Sequence, residues 1–267
     1  MTGTNRMSQC VGDYQEWEPE CALRPHVCCV WSNDLSRSTA EGYAVVPDGS
    51  ADILWTEDRL WVAGPDTHPI QEKIGGRSHV LGVRFRPGSA YPWLGVPLSE
   101  IVNLRVPLEE FWGGEAQRAE DRLRALRYSG DLLPALQGTV VRRLERVGPA
   151  DGQIACLRAH AVGAGGEGSS PLRQASFAIG ISERTLLRRC NEAFGYGFKT
   201  LERILRFQRF LHLAVGSAPP NLAGLAQQAG FADQAHMTRE VRRLSATTPG
   251  ELVAQVSCQF GRFVQDG

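Results

Sequence analysis

No stretch of this 267-residue chain approaches the ~18 consecutive apolar residues that a membrane span needs. Its first residues, MTGTNRMSQCVGDYQEW, lack the apolar core of a secretory signal, so a cytoplasmic protein without membrane attachment is expected. The seven cysteines form no CxxC, and none stands at zinc spacing from a histidine. No metal or other cofactor is therefore expected. Seven is an odd number, so the cysteines cannot all pair with one another. Reduced, buried thiols are the expectation, with a thiol sensor at Cys28 and Cys29 as the other reading. Those two lie in HVCCVW and point to opposite faces if that run is a strand. Net charge is also missing, 29 basic residues against 29 acidic, but the balance is uneven along the chain. Residues 1–112 hold 9 Lys/Arg against 15 Asp/Glu, and residues 151–267 hold 13 against 9. An acidic front half and a basic back half place a polyanion-binding domain at the C-terminal end.

What is present has two textures. Residues 1–24 are polar and patternless and read as a loose arm. From residue 26 come short β-branched and aromatic runs, HVCCVW, EGYAVVPDGSADILW, RLWVAG and SHVLGVRF. Pro-Asp-Gly at 47–49, Gly-Pro-Asp at 64–66 and Arg-Pro-Gly at 86–88 break them, and no helix signal intervenes before about residue 97. This predicts a small barrel or sandwich over residues 1–112. PLSEIVNLRVPLEEFW should then give a short helix, an extended piece and another helical turn. The cavity of such a barrel is a natural small-molecule site. Trp55, Trp61, Phe85 and Trp93 are the aromatics that could line it, with plain core packing as the alternative. Residues 113–150 carry EAQRAEDRLRALRYSG and DLLPALQGTVVRRLERVG, two helices whose apolar positions share a face. They form a helical linker that either makes a dimer seam or packs on its neighbours.

Residues 151–267 form a third, all-helical segment that contains a repeat. In NLAGLAQQAGFADQAHMTREVRRL, Asn221 caps a short helix, Gly230 ends it and Phe231 plugs the turn. Asp233 then caps a second helix bearing Arg239, Arg242 and Arg243. PLRQASFAIGISERTLLRRC has the same layout, with Gly180 as the stop, Ser182 as the cap and Arg184, Arg188 and Arg189 on the second helix. One helical hairpin is common; two matching basic ones make a tandem helix-turn-helix. GFKTLERILRFQRFLHLAVG joins them as a long helix, apolar at 201, 204, 205, 207, 210, 211, 213 and 214. The overall expectation is an α+β chain: a cupin-like β-barrel, a helical linker and an all-α domain of two helix-turn-helix units.

GISERTLLRRC, LRFQRFL, LAQQAGFADQAHMTREVRRL and TPGEL together resemble the DNA-binding domain of the AraC/XylS family of bacterial transcriptional regulators, over residues 151–258. Met237 and Val241 stand where that family usually has Phe, Arg242 where Lys is usual, Ala246 where Gly is frequent, and Cys190 replaces a common Phe. The front half, with VVPDGSADILW, VAGPDT and GVRFRPGSAYPWLGVPLSE, is similar to the N-terminal domain of a subgroup of such regulators. It lacks the His-x-His…Glu metal motif of cupin enzymes; His26, His68 and His79 are scattered.

The resemblance implies two units reading neighbouring major-groove segments of double-stranded DNA about 34 Å apart. Arg184 and Arg188, with Thr185 beside them, are the candidate contacts of the first unit, since Leu186 faces the core. Gln234, His236 and Arg239 are those of the second, with Arg242 toward phosphate. It further implies a regulator rather than an enzyme, placed at the nucleoid and controlled by an unidentified small-molecule effector. RNA polymerase and a second copy of the chain are candidate partners. Two rival readings are a cupin-like or DNA-repair-type enzyme domain fused to a DNA-binding tail, and a module whose helical pair docks another protein.

Overall fold

The structure is a computed structural model that describes residues 12–36, 42–73, 79–127, 131–163, 170–215 and 221–255. Cys10, Cys258 and all but the ends of the loop expected at 163–171 lie outside the described residues. Among the described residues the N-terminal domain is built on eight strands. They are β1 (Asp13–Trp17), β2 (Val27–Asp34), β3 (Gly42–Val45), β4 (Asp52–Thr56), β5 (Arg59–Ala63), β6 (Ile70–Lys73), β7 (His79–Phe85) and β8 (Arg105–Pro107). Six form an antiparallel sheet in the order β1-β2-β7-β4-β5-β8, and β3 pairs with β6 in a second, two-stranded sheet. All three Pro/Gly breaks fall between strands as expected, and Gly49 and Gly88 take positive φ there. Residues 97–112 also follow expectation, with a 3-10 turn at Leu98–Glu100, then β8, then α2 (Glu109–Trp112).

Two expectations are corrected. The segment before residue 24 is not a loose arm throughout: Asp13–Trp17 pairs with β2 along its whole length. Cys28 does not simply alternate with Cys29, because the register slips between Val27 and Cys29 and places Cys28 in a β-bulge.

The large sheet has two unlike faces. Ile53, Trp55, Leu60, Val62, Leu81, Val83 and Phe85 point one way into a continuous apolar core. That core is completed by α1 (Tyr91–Leu94), α3 (Gly114–Ala125) and α4 (Leu132–Val141) through Trp93, Ala116, Ala119, Leu123, Leu136 and Val140. The segment 113–150, expected as a linker, is thus a helical layer on the barrel, closed by the one-turn helix α5 (Leu144–Val147). Its apolar face is covered by the sheet. Glu120 on α3 is buried and accepts the backbone N–H of Leu60 at 2.9 Å while Arg124 holds its other oxygen at 2.8 Å.

The C-terminal domain comprises α6 (Gly152–Gly163), α7 (Pro171–Ile179), α8 (Glu183–Phe194), α9 (Phe198–Val215), α10 (Leu222–Ala229) and α11 (Gln234–Ser245). A further helical stretch begins at Pro249 and buries Leu252 and Val253. The 18-residue α9 spans ~27 Å. Its Leu201, Ile204, Phe207, Phe210, Leu211 and Ala214 sit in one core with residues of both helix-turn-helix units. Among the described residues no helix is long and apolar enough to cross a membrane.

The repeat is exact in phase along its second helices. Residue n of α8 answers to residue n+51 of α11, and both run for 12 residues. Leu186, Cys190, Ala193 and Phe194 are buried in one, Met237, Val241, Leu244 and Ser245 in the other. Ser182 Oγ accepts the Thr185 N–H and Asp233 Oδ1 the His236 N–H, so both N-terminal turns are closed by the same device. Both helices end on a left-handed residue, Gly195 at φ 83 and Ala246 at φ 60. Alanine pays a Cβ clash in that conformation which glycine avoids. Ala246→Gly should therefore raise stability by about 0.5–1 kcal/mol in urea unfolding, and a loss of stability would show that the site is not strained.

Candidate nucleic-acid interface

The phase of each second helix decides which side chains can leave the protein. With Leu186, Cys190 and Phe194 buried, α8 turns Arg184, Arg188, Asn191 and Glu192 outward, and all but Glu192, which is half-buried, are exposed. The matching positions of α11 are Ala235, Arg239, Arg242 and Arg243, all exposed. The two faces are not copies in charge. Arg188 is held by Glu192 at 2.7 Å one turn away, whereas α11 has Arg243 at the position of that glutamate. Among the described residues no carboxylate pairs with Arg184, Arg239, Arg242 or Arg243 within salt-bridge distance. Of the 29 basic residues, 27 are arginine, so these helices present planar forks suited to guanine edges or phosphate oxygens.

The proposed contacts are distributed as follows. Arg184 and Arg188 come together on one exposed ridge of α8, and Arg239 and Arg242 on the corresponding ridge of α11. Thr185 is half-buried in the first turn of α8, its hydroxyl 3.0 Å from that of the capping Ser182. Gln234 is exposed but stands five residues before Arg239, about 140° around the helix, so the two do not share a face. His236 is turned partly inward: its ring meets Phe231 edge-on at 5.5 Å and its Nδ1 accepts the Ala232 N–H at 3.4 Å. Arg203 on α9 grips Glu240 with two nitrogens, at 2.5 and 3.1 Å, and fixes α11 to the spine.

The barrel holds a second cluster that the sequence reading did not single out. The face of the large sheet turned away from the apolar core carries Tyr14, Glu16, Cys29, Trp31, Asp52, Trp61, Gly82, Arg84 and Arg105 in register. Arg84 is only 5% exposed and is met by Asp52 at 3.1 Å, Asp48 at 3.5 Å and Glu16 at 3.7 Å. Trp31 donates to Asp52 at 3.1 Å and stacks on Tyr14, and a Cβ on Gly82 would strike the Trp31 ring at 2.2 Å. Burial pushes the Asp52 carboxyl above the ordinary carboxylate range, while the Arg84 guanidinium works against that shift. Arg105 makes a second node, bidentate to Asp66 at 2.9 and 3.0 Å and bound to Glu72 at 3.1 Å. The period-two placement of charge, Glu16 in β1 and Arg84 in β7, is the signal that could have located this face. Of the four aromatics considered for an effector pocket, Trp55, Phe85 and Trp93 lie in the apolar core on the other side. Trp61, half-buried under Arg59, is the one on the charged face.

The Cys28 thiol is pulled down to about 7, first by a hydrogen bond from Cys29, with burial opposing and Arg84 and Arg86 assisting. His26 is buried edge-on against Trp93, His79 is exposed, and His68 lies at the barrel end that faces the C-terminal domain. Among the described residues no group of three or more His, Cys, Asp or Glu is arranged to hold a metal ion.

The barrel end docks on the helical domain through the three Pro/Gly breaks. Pro47 O accepts from Gln208 at 2.6 Å and Pro87 O from Arg158 at 3.2 Å. A Cβ on Gly195 would meet Pro65 at 2.9 Å, and one on Gly88 would meet Phe194 at 2.6 Å. Phe194, Gly195 and Tyr196, at the C-terminal end of α8, are thereby enclosed by all three breaks, Gly49 lying next to the Tyr196 hydroxyl.

Two capped helix-turn-helix units on one spine, each with an outward arginine ridge, define a DNA-binding protein. Residues 176–255 match a family model described as a helix-turn-helix domain, and residues 15–107 match one described as a domain of unknown function, DUF6597. The C-terminal region is an AraC-type helix-turn-helix domain, and the chain is a DNA-binding transcription regulator. No curated protein matches it significantly. Among solved structures it is similar to ToxT from Vibrio cholerae O395, with 8% identity, TM-score 0.48, and 91% of this chain and 98% of that one covered. It is also similar to unsaturated fatty acid bound wild-type ToxT from Vibrio cholerae strain SCE256, with 14% identity, TM-score 0.44, and 85% and 94% covered.

Removing the guanidinium of Arg84 leaves buried carboxylates facing one another. Arg84→Met should cost about 3–5 kcal/mol in urea unfolding, and a cost below about 1 kcal/mol would show that the network is slack.

Proposed function

We propose that the protein reads two neighbouring major-groove segments, Arg184 and Arg188 in one and Arg239 in the other, with Arg242 on phosphate. The observation that carries this reading is the matched phase of α8 and α11, which turns Arg188 and Arg239 outward at equivalent positions of the two units. Gln234 and Thr185 sit in the first turns, where a groove-bound helix approaches base edges most closely. His236 serves the packing of Phe231 as much as any contact with DNA. The N-terminal domain acts as a sensor and not a catalyst, for a small molecule received on the charged inner face of the barrel. Supporting this is the state of its acids: Glu16, Asp48 and Asp52 converge on Arg84, and Asp66 and Glu72 on Arg105. Carboxylates so paired are held in fixed orientation by the two guanidiniums.

Duplexes selected from a random pool by the full chain provide the operator. In gel shifts at fixed salt, Arg188→Ala and Arg239→Ala should each weaken the selected site by about 5- to 150-fold, as expected for loss of a bidentate base contact worth ~1–3 kcal/mol. Arg242→Ala should weaken all duplexes alike and lower the salt slope by about one. Full site preference in both Arg188→Ala and Arg239→Ala would refute the assignment.

A further inference from the structure

Cys28 and Cys29 are neighbours on β2, where ordinary alternation would send their side chains to opposite faces of the sheet. The bulge prevents this. Val27 and Val30 both lie in the apolar core, while Cys29 and Trp31 lie on the charged face. The two positions between the valines therefore share that face, with Cys28 as the extra residue where Cys29 pairs with Arg84. Their thiols hydrogen-bond to each other. Both are free; Cys28 is partly exposed and Cys29 is buried, so a reagent meets Cys28 first. Arg84 and Arg86 favour the Cys28 thiolate, the nucleophilic form, with Asp48 opposing more weakly, and Arg158 of α6 also feels its charge.

Geometry and charge narrow what two adjoining thiols can hold here. Neighbouring Cα atoms are about 3.8 Å apart across a trans peptide. Ordinary disulfides span about 4.4–6.8 Å between Cα atoms, so a direct S–S bond at this place is strained. A structural zinc ion needs four ligands. Among the described residues no third His, Cys, Asp or Glu joins the two thiols in a metal-holding group, and the nearby guanidiniums repel a cation. A single uncharged soft atom between the sulfurs lengthens the ring by one member and meets neither obstacle.

We propose that Cys28 and Cys29 form a dithiol site for an uncharged trivalent metalloid hydroxide of the arsenous acid type, the Cys28 sulfur attacking first and the Cys29 sulfur closing the chelate. Each S–As bond that forms replaces one As–OH bond. The two thiol protons leave with the displaced hydroxides as two waters, and arsenic stays trivalent, so no oxidant takes part. The site lies on the charged face read above as receiving a small molecule, and it names a class of ligand for that face. The docking turn Arg86-Pro87-Gly88, held to α6 through Pro87 O and Arg158, begins two residues beyond Arg84. A centre bound at the bulge is thus placed at the foot of that turn. Any response of DNA binding rests on the sensor reading; chelation by the thiols does not.

The probe is phenylarsine oxide, whose arsenic also takes two sulfurs, added in equimolar amount to the folded full chain. Excess 2-mercaptoethanol then strips arsenic from single thiols more readily than from a chelating pair. Intact mass spectrometry should show a single retained phenylarsenic adduct, released by 1,2-ethanedithiol. The adduct should be lost in Cys28→Ser and in Cys29→Ser and kept in Cys21→Ser and Cys156→Ser. Prior incubation with sodium arsenite should block it. The site is overturned by no retained adduct, by one that survives in both site variants, by one that forms only in urea, or by one that arsenite does not block. Should Cys29→Ser fail to fold by near-ultraviolet circular dichroism, Cys28→Ser, at a partly exposed position, still decides. In fluorescence anisotropy, arsenite should change affinity for the selected duplex about fivefold or more and leave Cys28→Ser unmoved. Unchanged affinity in a chain that retains the adduct overturns the link to DNA reading and leaves the site standing. Failure of the arsenic-free chain to select any duplex would instead strike the DNA-binding assignment and leave the mass comparison intact.

Discussion

The arrangement of this protein depends on how closely three turns can approach the end of one helix. Pro47-Asp48-Gly49, Gly64-Pro65-Asp66 and Arg86-Pro87-Gly88 each interrupt a strand, and each brings backbone against Phe194, Gly195 and Tyr196 or the helices beside them. Gly195 needs its positive φ and its missing Cβ together, because a side chain there would enter Val102 and Pro65. The left-handed stop of the first recognition helix is therefore also the socket for the barrel. Two domains that share a socket cannot move independently at that point.

The barrel reaches this contact because its large sheet is asymmetric. One face is apolar and roofed by α3 and α4, which lend rigidity of the ordinary kind through core packing. The other carries charge in compensated groups, with Arg84 and Arg105 as the two centres. Buried ion pairs add little net stability compared with apolar side chains of the same size, but they tolerate few alternative arrangements. The charged face thus fixes the strand ends from which the docking turns project: Asp52 follows the first turn, Asp66 lies in the second, and Arg84 leads into the third.

Much of the helical domain was legible because its signals are local. Asn221, Gly230 and Asp233 announce caps and stops that the backbone then adopts, and the repeat of that pattern around Ser182 identified the first unit. The barrel strands were legible for the same reason wherever Pro or Gly marked a break. The strands β4 and β5 were legible as separate runs, but the turn between them was not, because it is Glu57-Asp58, two residues without a glycine that both adopt positive φ. Arg124 of α3 and Arg127 just beyond its C-terminal end hold that turn through the carbonyl and carboxylate of Asp58. The charged inner face was missed because aromatic residues draw attention first; Trp55 and Trp61 are six residues apart in sequence and on opposite faces of the sheet. Pairing across strands, which no local pattern encodes, put Arg84 beside Asp52 and Trp31 over Gly82.

The two helix-turn-helix units differ by one residue at the turn. Gly180-Ile181-Ser182 leads into α8, while Gly230-Phe231-Ala232-Asp233 leads into α11. Together with Glu192 standing where the second unit has Arg243, this makes the pair unlike in both approach and charge. A symmetric dimer of identical readers binds a palindrome and has no front or back on it. Unlike readers on a single chain give the complex a head and a tail, so one bound copy points along the duplex and its orientation is written into the order of the two half-sites.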